Sequence, residues 1–275
     1  MDSKFDRDAY LSNILDGPDS HARIWSTEFS ENGFSTHFPM ALIALERLGA
    51  DDATLRAFGN NPVGLDKKES DGLRPATVAL MNESDFVARL GVGDSHDGYF
   101  EYFVDRMGAG VSLPNIDQLI PGLAASAFHG LIRLAYGLEV SSQTETATGL
   151  AIIADRYLAP MPLTGDLTEA GPGVFLSKVK SIFEEHLAGR FPVSNSQLNI
   201  SGRIMFLARQ SAPREQIADL LAQGVPSLDE IAEASLFIFS NSNNFTALHA
   251  VTATHAACVV ANHLKDTRPL RYALA

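Results

Sequence analysis

Cysteine is nearly absent from this chain of 275 residues, which contains Cys258 alone. A single cysteine excludes an intramolecular disulfide framework and a zinc site built from several thiolates. The sequence also lacks an apolar run of the roughly 20 residues needed to span a bilayer. Its start, MDSKFDRDAY, lacks the basic and apolar regions of a secretory signal. We therefore expect a cytoplasmic protein with no membrane partner.

Positive charge is also scarce, because 21 Lys and Arg residues stand against 33 Asp and Glu residues and give a net charge of -12. The acidic residues are spread along the chain, which argues against nucleic acid and anionic membranes as partners. No linker, charge block or repeat divides the sequence convincingly. We predict a single helical domain over residues 1–275, with a possible internal seam near residues 159–173, where proline and glycine are frequent.

No convincing series of alternating apolar and polar residues indicates strands, whereas helical periodicity recurs along the chain. The helical segments predicted from this periodicity cover residues 10–15, 39–48, 51–58, 84–90, 100–107, 121–139, 142–157, 174–188, 200–208, 214–222, 228–239 and 245–264. The sequence therefore predicts an all-α fold, a single multi-helix bundle-like domain around a central buried helix that carries a histidine.

That central segment is PGLAASAFHGLIRLAYGLE, residues 121–139, in which His129 has apolar neighbours on both sides. On a helix of 3.6 residues per turn, Ala125, His129, Ile132 and Tyr136 fall on one face, so we expect the imidazole to point inward. A buried imidazole needs a partner, and a lone histidine more often has a backbone carbonyl or a carboxylate than a metal ion. Histidines in two other apolar segments, one near the start of the chain and one near its end, favour the metal.

Two histidines in the first third of the chain have different surroundings. His37 comes just before Pro39, which is suited to the first turn of a helix. The helix dipole there disfavours an imidazolium, so we expect either a neutral ring able to bind metal or a histidine that caps the helix. His96 lies with Asp94 and Asp97 in a glycine-rich stretch. That trio is more typical of solvated turn residues than of a metal site.

Three more histidines lie in the predicted helix 245–264. His249 and His255 are six residues apart, about 120° around a helix axis and about 9 Å along it, whereas chelating pairs are usually three or four apart. Either the helix is distorted between them or only one of them is a ligand, and His249 is the stronger candidate because it shares a face with Ala256. His263, near the predicted helix end, is expected at the surface.

Three segments, EFSENGFSTHFPMALIALERLGA, LIPGLAASAFHGLIRLAYGLE and NFTALHAVTATHA, together resemble the bacterial branch of the questin oxidase-like proteins. Members of that family are associated with oxidative tailoring of aromatic polyketides, including Baeyer-Villiger-like cleavage of anthraquinone rings. The resemblance implies a helical fold and a histidine-rich non-haem iron centre, in which His37, His129, His249 and His255 match the motif histidines. It also implies an aromatic small-molecule substrate, dioxygen, Fe(II) and possible use of NADPH as co-substrate.

The resemblance includes one departure near the end of the chain. In the family a further helical region supplies another histidine and a lysine, whereas this sequence ends at Ala275. We expect the place of any ligand from that region to be taken by water, by Lys265, by a carboxylate such as Glu139, or by nothing.

Two functions from different classes fit these residues. In the first, neutral imidazoles from separate helices hold Fe(II) with an open position. Tyr136 then donates a hydrogen bond to a substrate carbonyl or to bound oxygen, or is an ordinary core tyrosine. In the second, a metal-free helical protein binds an apolar aromatic ligand, and the same histidines hydrogen-bond its carbonyls. A flavin or nicotinamide oxygenase is disfavoured because no Gly-x-Gly-x-x-Gly follows a strand.

Overall fold

The computed structural model describes residues 5–17, 37–60, 82–93, 95–161, 163, 167–187, 198 and 200–275. Within them the backbone forms fourteen α-helices: α1 (Arg7–Leu15), α2 (Phe38–Arg47), α3 (Asp52–Asn60), α4 (Glu83–Ala88), α5 (His96–Gly108), α6 (Ile116–Leu119), α7 (His129–Glu139), α8 (Gln143–Asp155), α9 (Val174–Leu187), α10 (Ile200–Ala208), α11 (Ser211–Leu221), α12 (Leu228–Ser242), α13 (Phe245–Ala261) and α14 (Arg268–Leu274). Two 3-10 helices, Ile120–Gly122 and Ala125–Phe128, precede α7. The described residues contain isolated bridges but no named strand, so the all-α prediction is confirmed.

Polar side chains fix the starts of several helices. The Ser142 side chain accepts a hydrogen bond from the Glu145 amide at the start of α8, and Ser227 does the same for Glu230 in α12. Asn244 caps α13 by accepting from the Thr246 amide. Each such cap contributes about 1 kcal/mol to helix stability. The helices predicted over residues 142–157 and 245–264 do start at these caps, so their predicted starts are confirmed.

The centre of the molecule is the pair α7 and α8, which touch backbone to backbone. A Cβ atom added to Gly149 of α8 would lie 2.5 Å from the Leu134 amide nitrogen. One added to Gly137 of α7 would lie 2.5 Å from the Thr146 amide nitrogen. Glycine alone permits this approach, because any other residue would bring its Cβ into the facing helix. α13 packs on α7 and α5 packs on α8, which completes the main hydrophobic core.

A buried ion pair also joins the two central helices. Arg133 of α7 and Glu145 of α8 have side chains that are 0% and 1% exposed. The guanidinium donates from Nε to Oε2 at 2.7 Å and from the terminal NH2 group to Oε1 at 3.2 Å. Removing one partner of such a pair typically costs about 3–5 kcal/mol, because the remaining charge is buried without compensation. Arg133 lies one turn after His129, so it places a fixed positive charge on that side of α7.

Two smaller clusters of apolar side chains lie against this centre. One is formed by α1, α2 and α3, and Tyr136 of α7 packs against both it and the main core. The other is formed by α9, α11 and α12. The single-domain organisation remains a prediction, and the proposed seam near residues 159–173 falls partly outside the described residues. Among the helices described, none combines the length and the apolarity required to cross a bilayer.

The central helix predicted over residues 121–139 begins instead at His129. Just before it the backbone takes left-handed conformations at three consecutive residues, with φ of 48° at Ser126, 55° at Ala127 and 67° at Phe128. Such residues cannot continue a right-handed helix, because each places its Cβ too close to the following carbonyl oxygen. The prediction was therefore wrong for the first part of this segment, and Ala125 lies before the start of α7.

Candidate functional site

Two imidazoles that lie 92 residues apart in sequence meet where α2 and α7 begin. His129 is the first residue of α7, and His37 immediately precedes α2. Their Nε2 atoms are 3.0 Å apart, and their ring centroids are 4.8 Å apart. The His37 ring makes no capping hydrogen bond to α2. The structure therefore directs this ring toward His129 and not toward the backbone of its own helix.

A third imidazole comes from α13. The ring centroid of His249 lies 5.2 Å from that of His129, and the His249 residue is only 7% exposed. The ring of Phe245 stands edge-on to His249 with centroids 4.8 Å apart, while most of Phe245 is exposed. Three histidines from three separate helices thus form one contiguous group, which we call the histidine cluster: His37, His129 and His249.

Backbone carbonyls fix the tautomers of two cluster members. The His129 Nδ1 atom lies 2.5 Å from the Ser126 carbonyl oxygen, and the His249 Nδ1 atom lies 2.9 Å from that of Phe245. A carbonyl oxygen only accepts, so each Nδ1 must carry the proton and donate it. In the neutral ring, Nε2 then keeps its lone pair. Imidazoles that bind metals commonly have this arrangement, in which the other ring N–H is held by a carbonyl or carboxylate.

His129 is held in the neutral state. Its pKa is lowered to about 4, chiefly because burial disfavours the charged ring. The Ser126 carbonyl acts in the opposite direction, while electrostatic repulsion from His37, His249 and the Arg133 guanidinium lowers the pKa further. The position of His129 at the start of α7 also lowers its pKa, because the helix dipole disfavours a cation there. At neutral pH the ring therefore presents an uncharged nitrogen that can accept a hydrogen bond or bind a cation.

The geometry of the histidine cluster matches a metal site in part. Two nitrogens that are each about 2.1 Å from a shared ion, at roughly a right angle, lie about 3 Å apart. The 3.0 Å between Nε2 of His37 and Nε2 of His129 agrees with that spacing, and it is equally the length of a hydrogen bond that His37 donates to His129 when no ion is bound. Within the described part of the chain, however, no group of three or more His, Cys, Asp or Glu side chains is arranged to hold a metal ion. The cluster thus offers two nitrogens at ligand spacing and a third ring beside them.

His255 does not join the histidine cluster. Its side chain is 65% exposed, and its Nε2 atom lies 3.9 Å from Oε1 of Glu139. Glu139 ends α7, about 15 Å along the helix from His129 at 1.5 Å per residue. The structure thus places both His255 and Glu139 away from the His37 and His129 pair. His263 is exposed, as predicted.

Tyr136 lies on α7, about 10 Å along the helix from His129. Its side chain is half-buried between the main core and the cluster of α1, α2 and α3. Burial raises the pKa of its hydroxyl, and the charge of Glu139 adds to this effect. The hydroxyl therefore stays protonated at neutral pH and keeps its ability to donate a hydrogen bond.

An apolar cavity of about 250 Å³ is lined in part by residues that precede His129 in the chain. Among the described residues that line it, none has a charged side chain. The residues that surround it are Pro121, Ala124, Phe128, Pro160, Met161, Leu163, Ile204, Leu207, Ala208, Ile217, Leu221, Tyr272, Ala273, Leu274 and Ala275. Ligand pockets usually measure about 300–1,000 Å³, so this cavity is near the lower end of their range.

Two observations go beyond or against the sequence analysis. A backbone carbonyl was among the partners expected for His129, but a sequence has no side-chain signature that could show which carbonyls, here those of Ser126 and Phe245, orient the imidazoles. His96 was expected in a solvated turn, yet it is the first residue of α5 and only 4% exposed. That expectation was wrong because the helix begins earlier than the glycine-rich stretch indicates. Asp94 lies outside the described residues.

Comparison with known proteins gives the family directly. Residues 34–274 match the family model described as Questin oxidase-like. The chain belongs to the questin oxidase-like family. The matched residues include the whole histidine cluster as well as His255 and Tyr136. No curated protein matches the sequence of this questin oxidase-like protein. Its family assigns it to the oxidoreductases, as an oxygenase associated with aromatic polyketides.

Proposed function

We propose that this questin oxidase-like protein is a metal-dependent oxygenase that uses a non-haem Fe(II) ion held by His37, His129 and His249. The substrate is an aromatic polyketide or a quinone-like molecule, and the reaction is oxidative ring cleavage or a Baeyer-Villiger-type oxidation. The observation that carries the proposal is the meeting of three imidazoles from three helices, two of which have their Nδ1 protons held by backbone carbonyls.

The chemistry of the donors supports this assignment. Neutral imidazole is a good ligand for iron, and also for zinc, copper and nickel, so the choice of iron rests on the family. A bound Fe(II) ion would supply the electrons and the Lewis acidity that activate dioxygen. The protein supplies the rest: the Ser126 and Phe245 carbonyls hold the ring orientations, and burial keeps His129 uncharged.

Tyr136 and Phe245 are the residues we propose for handling the substrate. Phe245 is 67% exposed beside the buried His249, so its ring is available to stack on a flat aromatic molecule. The protonated hydroxyl of Tyr136 would donate a hydrogen bond to a substrate carbonyl. His255 has no part in this proposal, because its contact with Glu139 lies near the opposite end of α7.

The electron balance decides whether NADPH is needed. When one atom of dioxygen enters the substrate and the other leaves as water, two electrons must come from a further donor. We propose NADPH as that donor, either directly or through a reductase. If both oxygen atoms enter the substrate, no such donor is required. Oxygen uptake with a panel of anthraquinones, with and without NADPH, separates these two cases.

A second candidate function is a protein that binds an apolar aromatic ligand without metal, with the imidazoles hydrogen-bonding the ligand. The exposed ring of Phe245 beside His249 favours it, because that ring can stack on an aromatic ligand next to the histidine cluster. Metal analysis of protein purified without an affinity tag discriminates between the two. One equivalent of iron, or its recovery on anaerobic addition of Fe(II), supports the oxygenase. Failure to restore more than a small fraction of an equivalent favours the binding protein.

The ligand assignment is tested by two matched substitutions. His129→Ala is expected to abolish Fe(II) binding, because it removes the nitrogen that faces His37. His263→Ala is the control, since His263 is an exposed histidine after the end of α13. Equal iron content in both variants would contradict the assignment.

A further inference from the structure

The segment from Ser126 to Phe128 contacts His129 of the histidine cluster and also contributes to the lining of the apolar cavity. The Ser126 carbonyl holds the Nδ1 proton of His129. Phe128, two residues later, is one of the residues that line the apolar cavity. Only two residues lie between Ser126 and the His129 imidazole that its carbonyl orients, and one of them is Phe128, so we expect a shift of Phe128 to move that carbonyl.

This short segment is also strained. Ser126, Ala127 and Phe128 all have positive φ, although none of them is glycine. For such residues the left-handed conformation is unfavourable, because the Cβ atom lies too close to the following carbonyl oxygen. Backbone strain of this kind persists only where the surroundings enforce it, and it is frequent at ligand clamps and switch regions. Ala127 is only 3% exposed, so packing around the middle of the segment helps to hold it.

The cavity has the character of a site for a neutral aromatic molecule. None of the described residues in its lining has a charged side chain, so a charged ligand would find no side chain of opposite charge among them. At the packing density of protein interiors, about 250 Å³ accommodates a molecule of roughly two fused rings. The ring of Phe128 and the thioether of Met161 are surfaces that suit an aromatic face.

We infer that the apolar cavity binds a neutral aromatic molecule of about two fused rings, and that the strained backbone of residues 126–128 transmits this binding to His129. When the cavity is filled, Phe128 is fixed against the ligand, and the Ser126 carbonyl is fixed with it. The orientation of the His129 ring then depends on the occupant of a cavity that the ring itself does not line. This inference does not rest on the oxygenase activity, because it requires neither metal nor turnover.

The test uses the full-length, metal-free protein and 2-naphthol, a neutral two-ring probe. Fluorescence titration measures binding, and NMR spectra of protein with labelled histidine side chains report on each ring, with His129 assigned by His129→Gln. Saturable binding is expected, together with a shift of the His129 signal that follows the same binding curve. The signal of the exposed His263 is expected to stay in place.

Variants that fill the cavity provide the comparison. Ala208→Phe projects a ring into it from α10 and is expected to weaken 2-naphthol binding at least tenfold. Ala57→Phe makes the same change at an exposed position of α3 and should bind the probe as the wild type does. If thermal unfolding shows that Ala208→Phe is not folded, Ile217→Phe fills the same cavity from α11 and serves in its place.

Three results would overturn the inference. The first is the absence of saturable binding to the wild type. The second is binding that the cavity-filling variants leave unchanged. The third is binding that moves the His129 signal no more than that of His263, which would show that the cavity is a site but that the segment transmits nothing. Ala127→Gly, which relieves strain, is expected to keep the affinity within about twofold and to reduce the His129 shift.

Discussion

At the scale of single residues, the environment of His129 determines what the site can do. A histidine with its usual pKa would be partly charged near pH 6.5 and would repel a cation. Here burial keeps the ring neutral, and the Ser126 carbonyl decides which nitrogen carries the proton. The residue is therefore prepared to be a ligand or an acceptor across the neutral pH range.

We expect mild acid to destabilise the metal-free protein through His129. Its pKa is about 4 in the folded protein, whereas an exposed imidazole titrates near 6.5. Between these values the unfolded chain binds more protons, so stability is fully present above about pH 6.5 and is lost as the pH falls toward 4. The loss attributable to this ring is at most about 3 kcal/mol. Denaturant unfolding at pH 7, 5.5 and 4 after dialysis against EDTA measures it.

The comparison for this pH dependence is His129→Gln. This variant lacks the titrating ring, so its unfolding free energy should change less between pH 7 and 4 than that of the wild type. His263→Gln, altered at an exposed histidine, should retain the wild-type slope. Parallel slopes for the wild type and His129→Gln would show that the ring is not held neutral by the fold.

Tyr136→Phe separates a hydrogen-bonding tyrosine from an ordinary core tyrosine. The ring packs against two core clusters, so its replacement by Phe should change stability by less than about 1 kcal/mol. If the hydroxyl donates to the substrate, kcat should fall about tenfold or more, in line with the loss of a hydrogen bond made in the transition state. Tyr157→Phe is the control, because burial also raises the pKa of that half-buried hydroxyl. Equal activity of both variants would assign Tyr136 to packing alone.

The sequence indicated where some of the histidines lie, but not how they meet. The inward face of His249 was predicted from helical periodicity and the surface position of His263 from its place near the helix end, and both agree with the structure. The approach of His37 to His129 joins residues far apart in the chain, which no local pattern encodes. The position of Cys258 was predicted wrongly. Its small apolar neighbours indicate a core position, yet it is exposed on α13.

At the scale of helices, glycine sets the distance between α7 and α8. Gly149→Ala would push a methyl group against the Leu134 backbone, which cannot move aside as a flexible side chain can. We expect a loss of about 1–3 kcal/mol in unfolding free energy, the usual cost of overpacking. Denaturant unfolding followed by circular dichroism measures it.

Gly108→Ala is the matched control, because a Cβ atom at this last residue of α5 meets nothing within 4 Å. That variant should be neutral or gain up to about 1 kcal/mol from the higher helix propensity of alanine. Similar destabilisation by both substitutions would mean that close approach of the helices is not the cause.

The element that the sequence predicted least well is the start of α7. Apolar residues at helical spacing continue back from His129 to Pro121, so the pattern alone indicates one long helix. The left-handed turn at Ser126 to Phe128 overrides that pattern, because the local cost is outweighed by the packing of the surrounding helices. Helix starts set by a polar cap, such as Ser142 for α8, were predictable because the capping group is visible in the sequence.

At the scale of the whole molecule, a bound ion would join three segments that are distant in sequence. We therefore expect Co(II), a redox-stable substitute for Fe(II), to raise the thermal midpoint of the wild type. At an ion concentration 100 times the dissociation constant the gain is about 2.7 kcal/mol, which corresponds to about 5–10 °C for a chain of this size. Differential scanning calorimetry with and without Co(II) measures the shift.

His249→Ala should lose most of this stabilisation, since α13 would no longer be tied to the His37 and His129 pair. His255→Ala should keep it, because His255 lies beside Glu139 at the far end of α7. An equal Co(II) response in both variants would place the ion elsewhere in the molecule.

The glycine contact between α7 and α8 has a practical consequence for redesign. Because backbone packs against backbone, the spacing of α7 and α8 does not depend on side-chain rotamers, and the two helices hold His129 in a fixed position. The walls of the apolar cavity that α10 and α11 contribute are not part of this helix pair. Laboratory evolution of the cavity toward a bulkier or smaller aromatic compound should therefore begin with libraries in α10 and α11, where changes of shape leave the α7–α8 contact intact.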